Sequence, residues 1–298
     1  MNLAVAAEFN GRVRRNEPMS RHTSWHVGGS ADVFFTPRDR ADLAAFLVQL
    51  PADSPLLWVG LGSNLLVRDG GIRGAVICTY GAFTRLERRA AQLVYCEAGV
   101  PGPRVARQCS SWGLGRAEFF AGIPGTLGGA LAMNAGAYGS ETWSYVRAVD
   151  VMARNGSCRT RPASEYRVGY RQVGAPANDE WFLAAELEFA AADPAAAGEV
   201  RRLAQHRKLT QPLGKWSCGS VFTNPPGDHA ARLIETAHLK GFRIGGAVVS
   251  EKHANFILNE GGATARDLEE LIAHLRATVL RVHGIDLLPE VRIVGENP

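Results

Sequence analysis

Between Ala121 and Gly139 the sequence reads AGIPGTLGGALAMNAGAYG, and its six glycines leave the main chain almost without side-chain cover. Glycine carries an entropic cost in ordered structure, so a run this dense is retained where φ is positive or where another group must approach the backbone. After the Ile123-Pro124-Gly125 turn, Thr126 to Met133 read as a short helix. Its first N–H groups and positive dipole end would be aimed outward, which makes an anion site. Two readings stay open from this stretch alone: contact with a large ligand, or a tight turn followed by a closely packed helix.

At 298 residues the chain is long enough for two or three lobes. Its formal charge of +4 is spread along the chain without Lys/Arg tracts, which suits an anionic small ligand and disfavours a nucleic-acid groove. The five cysteines are odd in number and never spaced as CxxC, so they read as reduced thiols, with no disulfide framework and no metal site. No apolar run reaches membrane-spanning length, and the patch from Leu3 to Ala7 is short; a cytoplasmic protein with no membrane partner is expected. Arginine supplies nearly all the positive charge, whereas the four lysines, Lys208, Lys215, Lys240 and Lys252, all lie in the last third. A lysine kept in such a chain suits a compact charge against phosphate or carboxylate, with chance clustering as the alternative.

Taken in order, residues 20–37 alternate around Gly28-Gly29 and predict a hairpin. Arg38 to Leu50 places Leu43, Phe46, Leu47 and Leu50 on one helical face. Next come an apolar strand, a glycine turn over Gly60 to Asn64, and a second apolar run. Leu65 stands where a dinucleotide fingerprint needs its third glycine and a strand follows instead of a helix, so the Rossmann reading fails. The N–H groups of Gly62, Ser63, Asn64 and Leu65 can still form an anion-binding concavity, and a plain hairpin turn is the competing reading. Strands are predicted at 76–77, 93–97, 146–152 and 181–189, and a helix over 105–112. A further helix runs through Val200 and Leu203 to His206, with a domain boundary near Ala191–Ala197. Asp228 reads as the N-cap of a helix over 230–239, and HANFILN as a strand. Thr264, with Asp267, resembles a capping box that opens the clearest helix, striped by Leu268, Leu271, Ile272, Leu275, Val279 and Leu280 and stopped by Gly284.

These elements predict an α+β chain: residues 1–200 as a ligand-binding region of two lobes, about 1–80 and 81–200, and 201–298 as a further domain, leaving open whether its final strand returns to the first lobe. The sequence has no HExxH, P-loop or nucleophile elbow. Two separated glycine nests in one region suit an extended diphosphate cofactor such as a flavin adenine dinucleotide. Lys208, Gln211, Ser220, Asn224, Lys240, His253, Asn255 and Asn259 add polar groups near loop or strand ends. On spacing alone Ser220 also reads as a turn serine, Glu290 as a solvated strand-end carboxylate and Arg171 as a surface arginine.

The stretches RHTSWHVGG, GLGSNLLVRDGG, AGIPGTLGGALAMNAGAYG, GYR, GSVFTNPPG, LKGFRIGGAVVSEKHANFILN and LPEVRIVGE fall in one order across residues 20–296. Together they resemble the bacterial UDP-N-acetylenolpyruvoylglucosamine reductases, or UDP-N-acetylmuramate dehydrogenases. The resemblance implies an FAD-binding region of the vanillyl-alcohol-oxidase type followed by a C-terminal α+β substrate domain. It implies that NADPH reduces FAD and that reduced flavin passes hydride to C3 of the enolpyruvyl group of UDP-N-acetylglucosamine enolpyruvate, with protonation at C2. It implies a catalytic set of Ser220 as proton donor, Glu290 in the PEV motif and Arg171 in the YR motif. FAD would contact Gly60, Gly62, Ser63, Asn64 and Leu65, together with Gly122, Ile123, Pro124, Gly125, Gly128, Gly129 and Asn134. The UDP-sugar would contact Tyr138, Tyr170, Lys208, Asn224 and Lys240. A monomer is expected, with no nucleic-acid partner.

Two departures stand out. Val173 occupies the place where the family's YR motif is commonly followed by serine or threonine, and the segment from Arg171 to Ser220 is too short for the tyrosine-bearing loop of one branch. The chain therefore resembles the branch lacking that loop, with a pocket that is more open or closed by domain motion. Two rival readings remain: another FAD-dependent oxidase or dehydrogenase of the same superfamily, and a catalytically silent nucleotide-sugar binding protein.

Overall fold

The computed structural model describes residues 9, 11–193 and 198–298. The patch from Leu3 to Ala7 and residues 194–197 of the predicted boundary lie outside the described residues. Six α-helices occur among the described residues: α1 (Arg40–Gln49), α2 (Gly102–Ser111), α3 (Leu127–Met133), α4 (Glu199–Thr210), α5 (Ala230–Thr236) and α6 (Ala265–His283). The chain forms two compact units, one of Met1–Arg15, Val33–Leu61 and Gly74–His206, the other of Asn16–Asp32, Gly62–Arg73 and Arg207–Pro298.

The first unit is built on an antiparallel sheet in the order Cys158–Pro162, Val146–Ala153, Glu180–Glu188, Leu93–Glu97, Leu86–Arg88. Alternation along its strands sends Val149 and Val151, Val94 and Cys96, and Ala185 and Leu187 into one core. There they meet Val105, Ala106 and Cys109 of α2 and Leu127, Ala130 and Leu131 of α3. Met152 and Leu183 join a second core with Leu43, Phe46 and Leu47 of α1. Asp39 caps α1 by accepting the N–H of Asp42. A second sheet runs Arg12–Pro18, Ser30–Thr36, Ile72–Cys78, Leu56–Val59, its last pair parallel with Leu57 opposite Val76.

The hairpin expected over residues 20–37 is not formed. The strands beside Ser30–Thr36 are Arg12–Pro18 and Ile72–Cys78, and Met19–Arg21 makes a 3-10 turn. Packing replaces cross-strand pairing in residues 22–29: Trp25 is fully buried and donates its indole N–H to the Ile257 carbonyl at 2.8 Å, and a Cβ on Gly28 would lie 2.8 Å from Val67.

In the second unit α6 supplies the core. Leu268, Leu271, Ile272, Leu275 and Val279 pack with Trp25, Val221, Phe222, Leu233 and Ile234. Its Thr264–Asp267 capping box closes in both directions and Gly284 ends it at φ 70°. Leu280 is exposed, contrary to the predicted stripe, because it stands one position round from Val279. A three-stranded sheet, Arg243–Ile244, Ala247–Val249 and Ile257–Asn259, lies beside α6. The final strand, Arg292–Val294, pairs in parallel with Leu65–Val67. The helix expected to end at His206 runs on to Thr210 and so carries Lys208. The cap of α5 also differs from expectation: Asn224 Oδ1 accepts the Ala230 N–H, while Asp228 accepts from His229 N and pairs with Arg232.

Candidate active site

The glycine stretch proves to be two constructions. In the first unit, packing accounts for three of its glycines: a Cβ on Gly122 would sit 2.7 Å from Ala137 and from Tyr138, one on Gly128 3.0 Å from Ala98, and one on Gly136 2.5 Å from the Ser140 carbonyl. Two of the N–H groups expected to face outward at the start of α3 are taken up within the unit. Leu127 N donates to Val100 O at 2.9 Å and Gly128 N to Ala98 O at 2.8 Å, because the helix start is stitched to the loop that leads into α2. Gly129 differs, since a Cβ there would meet nothing within 4 Å.

Across from this helix start lies Gly60, where a Cβ would be 2.3 Å from Thr126 Oγ1. Thr126 is 1% exposed, and its hydroxyl has no hydrogen-bond partner among the described residues. A buried hydroxyl without a partner costs roughly 1–3 kcal/mol, and this one stands beside a bare glycine backbone. These residues fit a flavin nucleotide. From the sequence Thr126 was placed at the helix start, within the stretch expected to meet FAD, but was given no role of its own.

In the second unit Gly62 has φ +59°, and a Cβ there would lie 1.9 Å from the His22 carbonyl, so RHTSW is the neighbour that demands this glycine. Asn64 Nδ2 donates to the Glu290 carbonyl at 2.9 Å, and Asn64 O accepts Arg292 N at 3.1 Å. The predicted nest is thus tied to the PEV motif. Ser220 follows Gly219 (φ +83°) and precedes Val221, whose N–H goes to Asn255 O at 2.9 Å and whose carbonyl takes Glu290 N at 2.7 Å. Ser220 and Glu290 are therefore brought onto adjacent chain segments. Burial, with the Glu290 charge added, pushes the neighbouring Cys218 thiol well up, so it stays protonated.

Asn255 and Asn259, noted in the sequence as polar groups near loop or strand ends, are buried structural amides. Asn255 exchanges hydrogen bonds with both backbone groups of Phe222, and Asn259 donates to Trp25 O and accepts from Gly261 N and Ala263 N. Lys240 Nζ donates to Glu235 at 2.6 Å, and Lys252 Nζ to the Lys208 carbonyl at 2.6 Å, which holds the last turn of α4. Burial lowers the pKa of His253 and favours its neutral form; its buried Nδ1 has no partner among the described residues.

Arg171 belongs to the first unit. It occupies a two-residue turn between Arg167–Gly169 and Gln172–Gly174, closed by Gly169 opposite Gln172, and holds φ +56°, a conformation costing roughly 1 kcal/mol or more for a side chain of this size. Its Nη2 donates to the Gly136 carbonyl at 3.0 Å, and the guanidinium lies 5.5 Å from the ring of Tyr170. Val173 packs on the core of this unit, which gives its apolar side chain a structural role. Tyr138, at φ +54°, donates to the Leu203 carbonyl at 3.2 Å.

The fold is that of an FAD-dependent oxidoreductase. Residues 31–161 match the FAD binding domain family, and residues 211–294 match the C-terminal domain of UDP-N-acetylenolpyruvoylglucosamine reductase. The chain is 58% identical to the UDP-N-acetylenolpyruvoylglucosamine reductase of Alkalilimnicola ehrlichii, over 96% of each chain. It is 55% identical to that of Methylococcus capsulatus, over 98% of this chain and 96% of the other. The crystal structure of the Thermus caldophilus enzyme superposes with a TM-score of 0.79 at 29% identity, over 96% of this chain and 99% of that one. The chain belongs to the UDP-N-acetylenolpyruvoylglucosamine reductase family. It is an FAD- and NADPH-using reductase of peptidoglycan precursor synthesis, with an α+β fold of the vanillyl-alcohol-oxidase type.

Proposed function

We propose that Ser220, Glu290 and Arg171 carry out the proton and charge chemistry of reducing UDP-N-acetylglucosamine enolpyruvate to UDP-N-acetylmuramate. Bound FAD, once reduced by NADPH, supplies the hydride that adds to C3 of the enolpyruvyl group. Ser220 Oγ then delivers a proton to C2. A serine hydroxyl is a weak acid, so its effectiveness rests on placement, and Glu290 restores its proton. Arg171 holds the substrate carboxylate as enolate charge develops there. The observation that carries this reading is the pinning of Val221, whose two backbone groups are both bonded and whose carbonyl takes the Glu290 N–H. That arrangement fits the two ends of a proton relay.

Gly60, Thr126 and Gly129 would border the flavin nucleotide, and Lys240 and Asn224 the UDP-sugar. Glu235 on Lys240 is then a counter-ion that a diphosphate displaces. Among the described residues no helix is long and apolar enough to cross a membrane. We place the enzyme in the cytoplasm as a monomer without a nucleic-acid partner, in the branch without the tyrosine loop.

Anaerobic stopped-flow of Ser220→Ala separates the steps. Reduction of the bound flavin by NADPH should be unchanged, while reoxidation by UDP-N-acetylglucosamine enolpyruvate slows by roughly 100-fold or more. Equal loss in both half-reactions removes the donor role.

A further inference from the structure

We infer that Asn134 is a positioning residue for Arg171 and not a flavin ligand; this rests on the role proposed above for Arg171. Asn134 is 1% exposed and caps α3 at φ +44°, a left-handed conformation that asparagine tolerates better than most side chains. Its Nδ2 donates both hydrogens to protein, to Glu141 Oε2 at 2.8 Å and to the Gly169 carbonyl at 3.0 Å. Its Oδ1 accepts the Trp143 N–H at 3.1 Å. The carboxamide has two hydrogens to give and both are committed, so it has no donor left for a ligand.

Those bonds converge on the arginine turn. Gly169, whose carbonyl Asn134 holds, opens the Tyr170-Arg171 turn, and Arg171 Nη2 reaches back to the carbonyl of Gly136, two residues after Asn134. Glu141, the third partner, sits opposite Gly136 in a short antiparallel pair. The turn with the strained Arg171 backbone is thus held from the NAGAYG segment at two points, one through a side-chain amide and one through a main-chain carbonyl. The second half of the glycine stretch orients the guanidinium, while its first half packs on the loop that leads into α2.

The test compares Asn134→Gly, Asn134→Asp and Arg171→Lys with the parent holoenzyme. Glycine keeps the left-handed backbone and removes all three bonds; aspartate keeps volume and the acceptor for Trp143 but loses both donations. Each Asn134 variant should bind FAD and accept electrons from NADPH within about threefold of the parent. Each should be reoxidised by UDP-N-acetylglucosamine enolpyruvate roughly 10- to 100-fold more slowly, the scale of a misplaced catalytic group. Hydrogen exchange of residues 169–173 should accelerate in the FAD-free protein. Should Asn134→Gly fail to fold, Asn134→Asp carries the same expectation. Weakened FAD binding with normal reoxidation would overturn the inference and make Asn134 a flavin ligand. If Arg171→Lys slows reoxidation and the Asn134 variants do not, the positioning role fails alone; if Arg171→Lys has no effect, the reading of Arg171 fails first.

Discussion

Thr126→Val should move two measurements in opposite directions. In the protein stripped of FAD, Thr126 Oγ1 is buried without a partner among the described residues, beside a glycine whose Cβ would stand 2.3 Å away. Valine has nearly the same shape and no hydroxyl to desolvate, so replacing it relieves a penalty of about 1 kcal/mol. For a unit of this size that raises the apoprotein Tm by about 2–4 °C. If the same hydroxyl bonds the cofactor in the holoprotein, as the proposed flavin border requires, losing a bond of about 1.4 kcal/mol weakens FAD binding roughly tenfold. Calorimetry of the FAD-free protein and a fluorescence titration with FAD read the two effects separately. A lower apoprotein Tm with an unchanged FAD affinity would refute the reasoning, since it would mean that the hydroxyl serves the fold and not the ligand.

Other substitutions probe the surroundings. Gly62→Ala forces a Cβ to within 1.9 Å of the His22 carbonyl at φ +59°, so urea unfolding should show a loss of about 3 kcal/mol or more, whereas Gly129→Ala, in a helix with open space around it, should leave the FAD-free protein no less stable and weaken FAD binding. Asp150 is subject to burial, which alone would raise its pKa, but hydrogen bonds from Arg40 (2.9 Å) and Thr160 (2.7 Å) outweigh this and hold it below the ordinary range. A depressed folded pKa contributes stability above the unfolded value of about 3.9 and loses it as pH falls through the folded one. Arg40→Met should therefore cost about 1–3 kcal/mol near neutrality, allowing for the partial exposure of the pair, and flatten the acid-side fall in stability; an unchanged acid limb of the denaturation profile would count against the pair.

Much of this was readable in the residues, and the failures have physical causes. The capping box at Thr264 and the stop at Gly284 were visible because caps are local chemistry, satisfied within three or four residues. The failed hairpin at residues 20–37 looked local too, but Trp25 and Gly28 are ordered by Ile257 and Val67, partners far along the chain that no periodicity reports. The helix start at Thr126 was visible, yet two of its N–H groups, those of Leu127 and Gly128, go to Val100 and Ala98 because a loop lies across it, which spacing does not encode. The roles of Asn255 and Asn259 were illegible for the same reason: a polar residue near a strand end gives no local sign of the distant backbone groups it bonds. Ser220 and Glu290 were recoverable only through family resemblance, since neither has a local signature beyond a turn serine and a strand-end acid.

The parallel pairing of Arg292–Val294 with Leu65–Val67 sets an order of events during synthesis. The first unit has its last residue at His206 and can assemble while the ribosome is still extending the chain, but the second draws on residues 16–32, 62–73 and 207–298. Leu65, Leu66 and Val67, all buried in the finished protein, must wait for a partner strand more than two hundred residues later. Such distant contacts are slow to form and leave apolar segments uncovered meanwhile. Shortening the C-terminus before Arg292 would leave that early strand permanently without its mate, so the last few residues govern the solubility of the nascent chain far more than their number suggests.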